Sequence, residues 1–350
     1  MLLYIHIPYC DSKCYYCSFN SYVDKFDTQS KYMKALLSQI IYELERFKAS
    51  PNSIETLFIG GGTPSTISPE LYAPIFDLLA SYLQPNAEIT TEANPNSATY
   101  SWLEGMQKLG VNRVSFGVQS FDNAKLKALN RSHNSNEAIK AIENAHKIGF
   151  KHISLDLIYN YQGDTKELLL NDIKKAFALP IDHISAYELT IEDGTKFAST
   201  PKARQENENL AFMVTEEIEK RGFKSYEISN FGKYQSKHNR GYWEGKDYIG
   251  AGAGAVGFLR DSRFYPTTDI DSYIQNPLNI KIEKLSNEDM LTERIFLGLR
   301  SDIGVAKSIL TTQMIKQADI LVANNKLTYR DEVYYNREFF ISDELALFII

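Results

Sequence analysis

Six short apolar, β-branched runs, separated by five longer helix-patterned stretches, constrain this chain more than any other feature. The runs are Leu2–Ile7, Thr56–Ile59, Glu88–Glu92, Arg113–Val118, His152–Leu157 and His183–Leu189. Between them lie Ser30–Phe47, Pro69–Tyr82, Ser101–Leu109, Ser135–Ile148 and Lys166–Phe177. Strands alternating with helices read as βαβ units, because two parallel strands need a long crossover to join them. Six units predict an α/β chain built on a partial (β/α)6 barrel and exclude a sandwich. In such a barrel the reactive groups sit just past the C-terminal ends of the strands.

The rhythm breaks after Leu189. A polar link, Thr190–Arg204, leads to a Glu- and Lys-rich helix at Gln205–Arg221 and a Gly- and Tyr-rich stretch at Tyr226–Phe258. From about Leu285 the pattern reads as helices closed by a hairpin at Leu327–Phe340, a small winged-helix-like unit. With 350 residues and about 150 per domain, we expect a core domain over 1–222 and a smaller C-terminal domain over 223–350. A hydrophobic share of 43% supports a sizeable core and excludes a disordered chain. The net charge of −6 gives no bulk attraction to nucleic acid. The first residues, Met1–Pro8, lack the basic segment of a signal peptide, and no apolar run approaches the ~18 residues of a membrane span. The expected compartment is a reducing cytoplasm.

The chain has three cysteines, Cys10, Cys14 and Cys17, all within eight residues directly after the first strand run. An odd, clustered set is a poor disulfide framework. On a [4Fe–4S] cube, three thiolates leave one iron open to a small molecule. Buried structural thiols are the alternative, as is a zinc site, although zinc asks for a fourth Cys or His. After the second run comes Gly60-Gly61-Gly62-Thr63-Pro64, where missing side chains let backbone approach a ligand or simply make a tight turn. Glu92, Gln119 and Asp156 stand singly at later strand ends, as ligand contacts or as satisfied polar termini. Gly252-Ala-Gly254-Ala-Val-Gly257 fits G-x-G-x-x-G formally, but it lies outside the βα series and reads as close backbone packing.

Taken together, the C-x3-C-x2-C loop with Tyr16 before its last cysteine resembles the cluster motif of the radical SAM superfamily. That resemblance implies a partial (β/α)6 barrel and a [4Fe–4S] cluster on Cys10, Cys14 and Cys17. It also implies an open iron that chelates S-adenosylmethionine (AdoMet) through its amino and carboxylate groups. The segment Gly60, Gly61, Gly62, Thr63 is similar to the family's binding segment for the AdoMet amino group. Glu92, Gln119 and Asp156, with Arg131, match the AdoMet contacts of the oxygen-independent coproporphyrinogen oxidase family and its relatives. Tyr4 matches a tyrosine between sulfonium and cluster, and Ala186 a further backbone contact.

Lys237-His238-Asn239-Arg240-Gly241-Tyr242-Trp243 contains H-N-x-x-Y-W. Imidazole is a common axial ligand of haem iron, and Tyr and Trp offer flat faces to a porphyrin; a core histidine bonded in a loop is the alternative. The hexapeptide resembles the signature of the haem-chaperone branch, the HemW type, which makes His238, Asn239, Tyr242 and Trp243 candidate haem contacts. Phe19 stands where the oxidases carry a fourth cysteine, and only nine residues precede Cys10 where they carry a long extension. Tyr159-Asn-Tyr-Gln-Gly163 departs from the Gly-Leu-Pro of both branches. The resemblance thus implies a haem chaperone without oxidase activity that passes haem to haem-requiring respiratory proteins. An electron donor belongs to that picture, and a homodimer and peripheral membrane contact are compatible with it. The competing expectation is an oxygen-independent coproporphyrinogen III oxidase, which decarboxylates propionates through a 5′-deoxyadenosyl radical.

Overall fold

The computed structural model describes residues 1–350, and burial follows the alternation read from the sequence. In β1 (Leu2–Ile7) the side chains of Leu3, Ile5 and Ile7 are fully buried in the main core, so Tyr4 and His6 face the other side of the sheet. The series continues with β2 (Ile54–Gly61), β3 (Leu83–Ala93), β4 (Arg113–Gln119), β5 (His152–Tyr159) and β6 (His183–Glu188). The crossovers are α1 (Gln29–Arg46), α2 (Pro69–Leu79), α3 (Tyr100–Lys108), α4 (Asn123–Ala128) with α5 (Ser135–Ile148), and α6 (Lys166–Phe177). All six strands pair in parallel and in chain order, which is the expected partial barrel.

Local chemistry explains most boundaries. Asn134 caps α5 reciprocally with Glu137, and Gly149 ends it at φ +99°. Strand β3 is longer than its apolar run because it starts at Leu83, where it pairs once with Ile54 before the register shifts. The short α4 is an addition to the expected elements; Asp122 caps it by accepting from the Lys125 N–H.

Residue 222, where the sequence suggests a boundary, lies between α7 (Glu208–Lys220) and β7 (Lys224–Ser225), and the sheet continues across it. Beyond it, β8 (Asn230–Gly232) adds antiparallel to β6, and β7 pairs antiparallel with β8 at the sheet edge. Then α8 (Lys237–Trp243) precedes β9 (Tyr248–Ala251), which pairs parallel to the other side of β1. Antiparallel β10 (Gly257–Leu259), β11 (Ser262–Pro266) and β12 (Ile280–Lys284) complete a twelve-stranded open sheet, with α9 (Ile270–Gln275) set before β12. The remaining chain buries its own core, including Ile295, Leu299, Leu321 and Tyr334. It comprises α10 (Asn287–Leu299), β13 (Val305–Ala306), α11 (Thr312–Ala323), the hairpin β14 (Leu327–Arg330) and β15 (Val333–Asn336), and α12 (Ser342–Ile349). Its three strands form a small antiparallel sheet, as the winged-helix-like reading expects. No helix is long and apolar enough to cross a membrane.

Candidate functional site

A cavity of about 590 Å³ opens at the C-terminal ends of the parallel strands, and one of its walls is the loop after β1. Backbone bonds close that loop on itself: Cys10 N–H to Tyr22 O (3.0 Å), Tyr22 N–H to Pro8 O (2.8 Å) and Cys17 N–H to Cys14 O (3.2 Å). On one side it is fastened to the segment after α4, where Tyr15 N–H donates to Leu129 O and Asn130 Nδ2 to Lys13 O (2.8 Å). On the other, Asn20 Nδ2 donates to Ala253 O and Thr268 O (2.9 and 2.8 Å). A Cβ on Gly254 would come within 2.9 Å of that amide, so the glycine-rich 252–257 segment packs backbone closely, as expected.

Cys10, Cys14 and Cys17 are free thiols, and all three line the cavity. Burial pushes the Cys10 and Cys17 thiols up, while the Thr63 hydroxyl, donating to Cys10 Sγ at 3.4 Å, partly offsets this for Cys10. No three His, Cys, Asp or Glu side chains are arranged to hold a single metal ion. A cluster, whose irons are separate, asks of its ligands a wider spacing.

The glycine run meets this loop directly. Gly61 lies at φ +108°, and a Cβ there would sit 2.5 Å from the His6 ring; one on Gly62 would sit 2.7 Å from Tyr9 O. Gly62 and Thr63 donate backbone N–H bonds to Ile7 O and Tyr9 O, both at 2.7 Å. Gly61, Gly62 and Thr63 line the cavity, whereas Gly60 is buried beneath it beside the Glu92 carboxylate.

Glu92 near the end of β3, Gln119 at the end of β4, Arg131 in the segment after α4 and Asp156 within β5 converge on the same cavity. Arg131 donates to Cys14 Sγ (3.2 Å), Asn94 Oδ1 (2.7 Å) and Gly117 O (2.6 Å), with Tyr16 Oη at 3.5 Å. Burial opposes its charge, but the neighbouring Tyr16 and Cys14 hold its pKa above the ordinary arginine range. Burial raises Glu92 to about 8, helped by Asp156 and opposed by the Gly61 N–H at 3.1 Å. Burial also raises Asp156 to about 6 against the hydroxyls of Ser185 and Ser115. Gln119 adopts φ +66°, a strained backbone for a non-glycine residue, at an irregularity in the β4–β5 register.

Other expected residues lie elsewhere. Ala186 is buried within β6, its N–H donated to Ser229 O, while Tyr187 and Glu188 line the wall. Tyr4 faces a second cavity and bonds His6 Nδ1 at 2.9 Å. His238 is buried under the barrel with both ring nitrogens engaged: Nδ1 with Thr56 Oγ1 (2.7 Å) and Nε2 with Tyr242 Oη (2.9 Å). Of the hexapeptide Tyr242 lines the second cavity, and Asn239 and Trp243 line neither of the two. Sequence reasoning missed Asn94, which links Arg131 to Thr63 by donating to its hydroxyl at 3.1 Å. Its signal was legible, two residues past Glu92 in Glu-Ala-Asn-Pro.

The Radical SAM superfamily profile matches residues 4–176. A Bacillus subtilis (strain 168) protein named haem chaperone HemW is 35% identical over 326 residues, 87% of this chain and 84% of its own length. The protein of that name from Escherichia coli K12 is 38% identical over 276 residues, 76% and 72% of the two chains. Its Mycobacterium tuberculosis H37Rv namesake is 30% identical over 349 residues, 94% and 89%. Among solved structures, the radical SAM enzyme coproporphyrinogen III oxidase HemN of Escherichia coli superposes with a TM-score of 0.83. The superposition covers 99% of this chain and 89% of that one at 20% identity, a likeness of fold.

Proposed function

Because the chain belongs to the HemW haem-chaperone family of the radical SAM superfamily, we propose that it binds haem and passes it to haem-requiring proteins, respiratory ones among them. We further propose that Cys10, Cys14 and Cys17 hold a [4Fe–4S] cluster and that AdoMet lies against Gly61–Thr63, Glu92, Gln119, Arg131 and Asp156. The observation that carries the cofactor reading is the convergence of three free thiols, a half-buried arginine and two half-buried carboxylates on one cavity. The donor set fits both groups. Arg131 compensates thiolate charge beside Cys14, and its Nε is buried without a partner. Glu92 and Asp156 supply the negative charge a sulfonium and an ammonium need. When bound, the cluster supplies one-electron chemistry and an open iron. The proposal places the protein in a reducing cytoplasm with an electron donor as partner.

Anaerobic reconstitution with iron and sulfide, followed by haem titration, tests this reading. We expect broad absorbance near ~400 nm that is lost in each Cys→Ser variant, and a Soret shift saturating at about one haem per chain. Without a Soret shift the chaperone reading fails. With AdoMet, a reductant and coproporphyrinogen III, we expect no protoporphyrinogen; turnover would make the chain an oxidase.

A further inference from the structure

The second cavity, about 580 Å³, lies beside the first and shares with it one partition, Ser18 and Phe19. Its lining is of a different kind. Tyr248 packs edge-on against Tyr242 at 4.7 Å between ring centres and lies 6.1 Å from Phe258. Val256, Met290 and Leu297 extend the apolar surface. At its margin Arg294 is engaged with the carbonyls of Glu244 and Gly245, and Lys246 with Glu55 and Glu244. Glu293 is neutralised by Arg263. Arg260, by contrast, is exposed and makes no ion pair, while its backbone N–H is fixed by Asp247 at 2.7 Å. An aromatic pit of this volume, edged by one uncommitted guanidinium, suits a large flat apolar ring that carries carboxylate tails.

We propose that this second cavity, and not the thiol-lined one, seats the haem, with the ring face on Tyr248 and Phe258 and a propionate on Arg260. The inference rests on the haem-binding reading above and adds where the ring lies. The neighbouring imidazoles are not its anchors in this arrangement: His6 has Nδ1 on Tyr4 and Nε2 on Asn20 O, and His238 is engaged likewise. The part of the hexapeptide that meets haem is then Tyr242, with His238 as the strut that orients it.

Haem titration of the reconstituted full chain tests the assignment in two variants, Arg260→Glu at the margin and Leu297→Trp in the pit. Arg330→Glu, an exposed arginine on the C-terminal hairpin, is the control. We expect haem affinity to fall by about tenfold or more in both variants, as for a lost charge-assisted bond or a filled site, and to hold in the control. Wild-type affinity should weaken with added salt, and that dependence should shrink in Arg260→Glu. Cluster absorbance and AdoMet binding should not change. If Leu297→Trp fails to fold, Arg260→Glu decides, because its side chain is solvent-exposed. Wild-type-like binding by Arg260→Glu with an unchanged salt dependence overturns the site while leaving the chaperone reading intact. No binding by the wild type refutes that reading, and the site with it.

Discussion

Arg131 is where the candidate site and the fold share one side chain. Its guanidinium ties the cysteine loop, through Cys14 Sγ, to β3 through Asn94 and to β4 through Gly117 O. A lysine keeps the charge but not the fork, so we expect Arg131→Lys to lower the unfolding free energy by about 1–3 kcal/mol and to speed cluster bleaching in air. Urea midpoints and the decay near ~400 nm measure the two effects. Glu92 gives a pH prediction. Its folded pKa of about 8 is raised, so its contribution to apo stability is full below the ordinary carboxylate range and is lost as pH rises through 8. A cationic ligand favours the carboxylate, so AdoMet affinity should rise from pH 6 to 8, with proton release. Calorimetry in two buffers of different ionisation enthalpy checks this, and Glu92→Gln should flatten the slope. At this scale the sequence was legible wherever chemistry sits at a strand end: Glu92, Gln119 and Asp156 all reach the cavity. Thr56 and Glu88 were not, because polar residues inside a strand look like ordinary pleat positions.

Among the elements, α8 depends most on others. Seven residues form a marginal helix alone, and this one starts on Glu88, whose carboxylate accepts from Tyr234 Oη, Lys237 N and His238 N at 2.8, 2.9 and 3.0 Å. We expect Glu88→Ala, which strands these donors, to cost about 3–5 kcal/mol, and Glu88→Gln markedly less; unfolding curves decide it. His238, held neutral by burial with its pKa lowered to about 3, contributes stability that is present above pH 6.5 and lost as pH falls toward 3. His238→Ala should cost about 2–4 kcal/mol and remove part of that acid sensitivity. An unchanged midpoint would show that the imidazole is no strut. Elements with a clear period, such as α5 and α6, were legible to their ends. The six-residue α4 offers too few turns for a period, and β8 exists because β6 provides an edge for it.

For the whole molecule, the parallel core was legible because each βα unit repeats the same physics, whereas the strands joining the sheet from beyond residue 222 follow long-range pairing. That pairing has a consequence in time. The first strand made, β1, lies between β2 and β9 and waits for Tyr248–Ala251 to be synthesised. At about 5–20 residues per second the growing chain carries β1 with one unpaired edge for roughly 10–40 s. Asn20 likewise finds Ala253 and Thr268 only when three quarters of the chain exists. Maturation of the cysteine loop is therefore a late event, and a ribosome stalled before Tyr248 should display thiols that alkylate faster than those of the released protein.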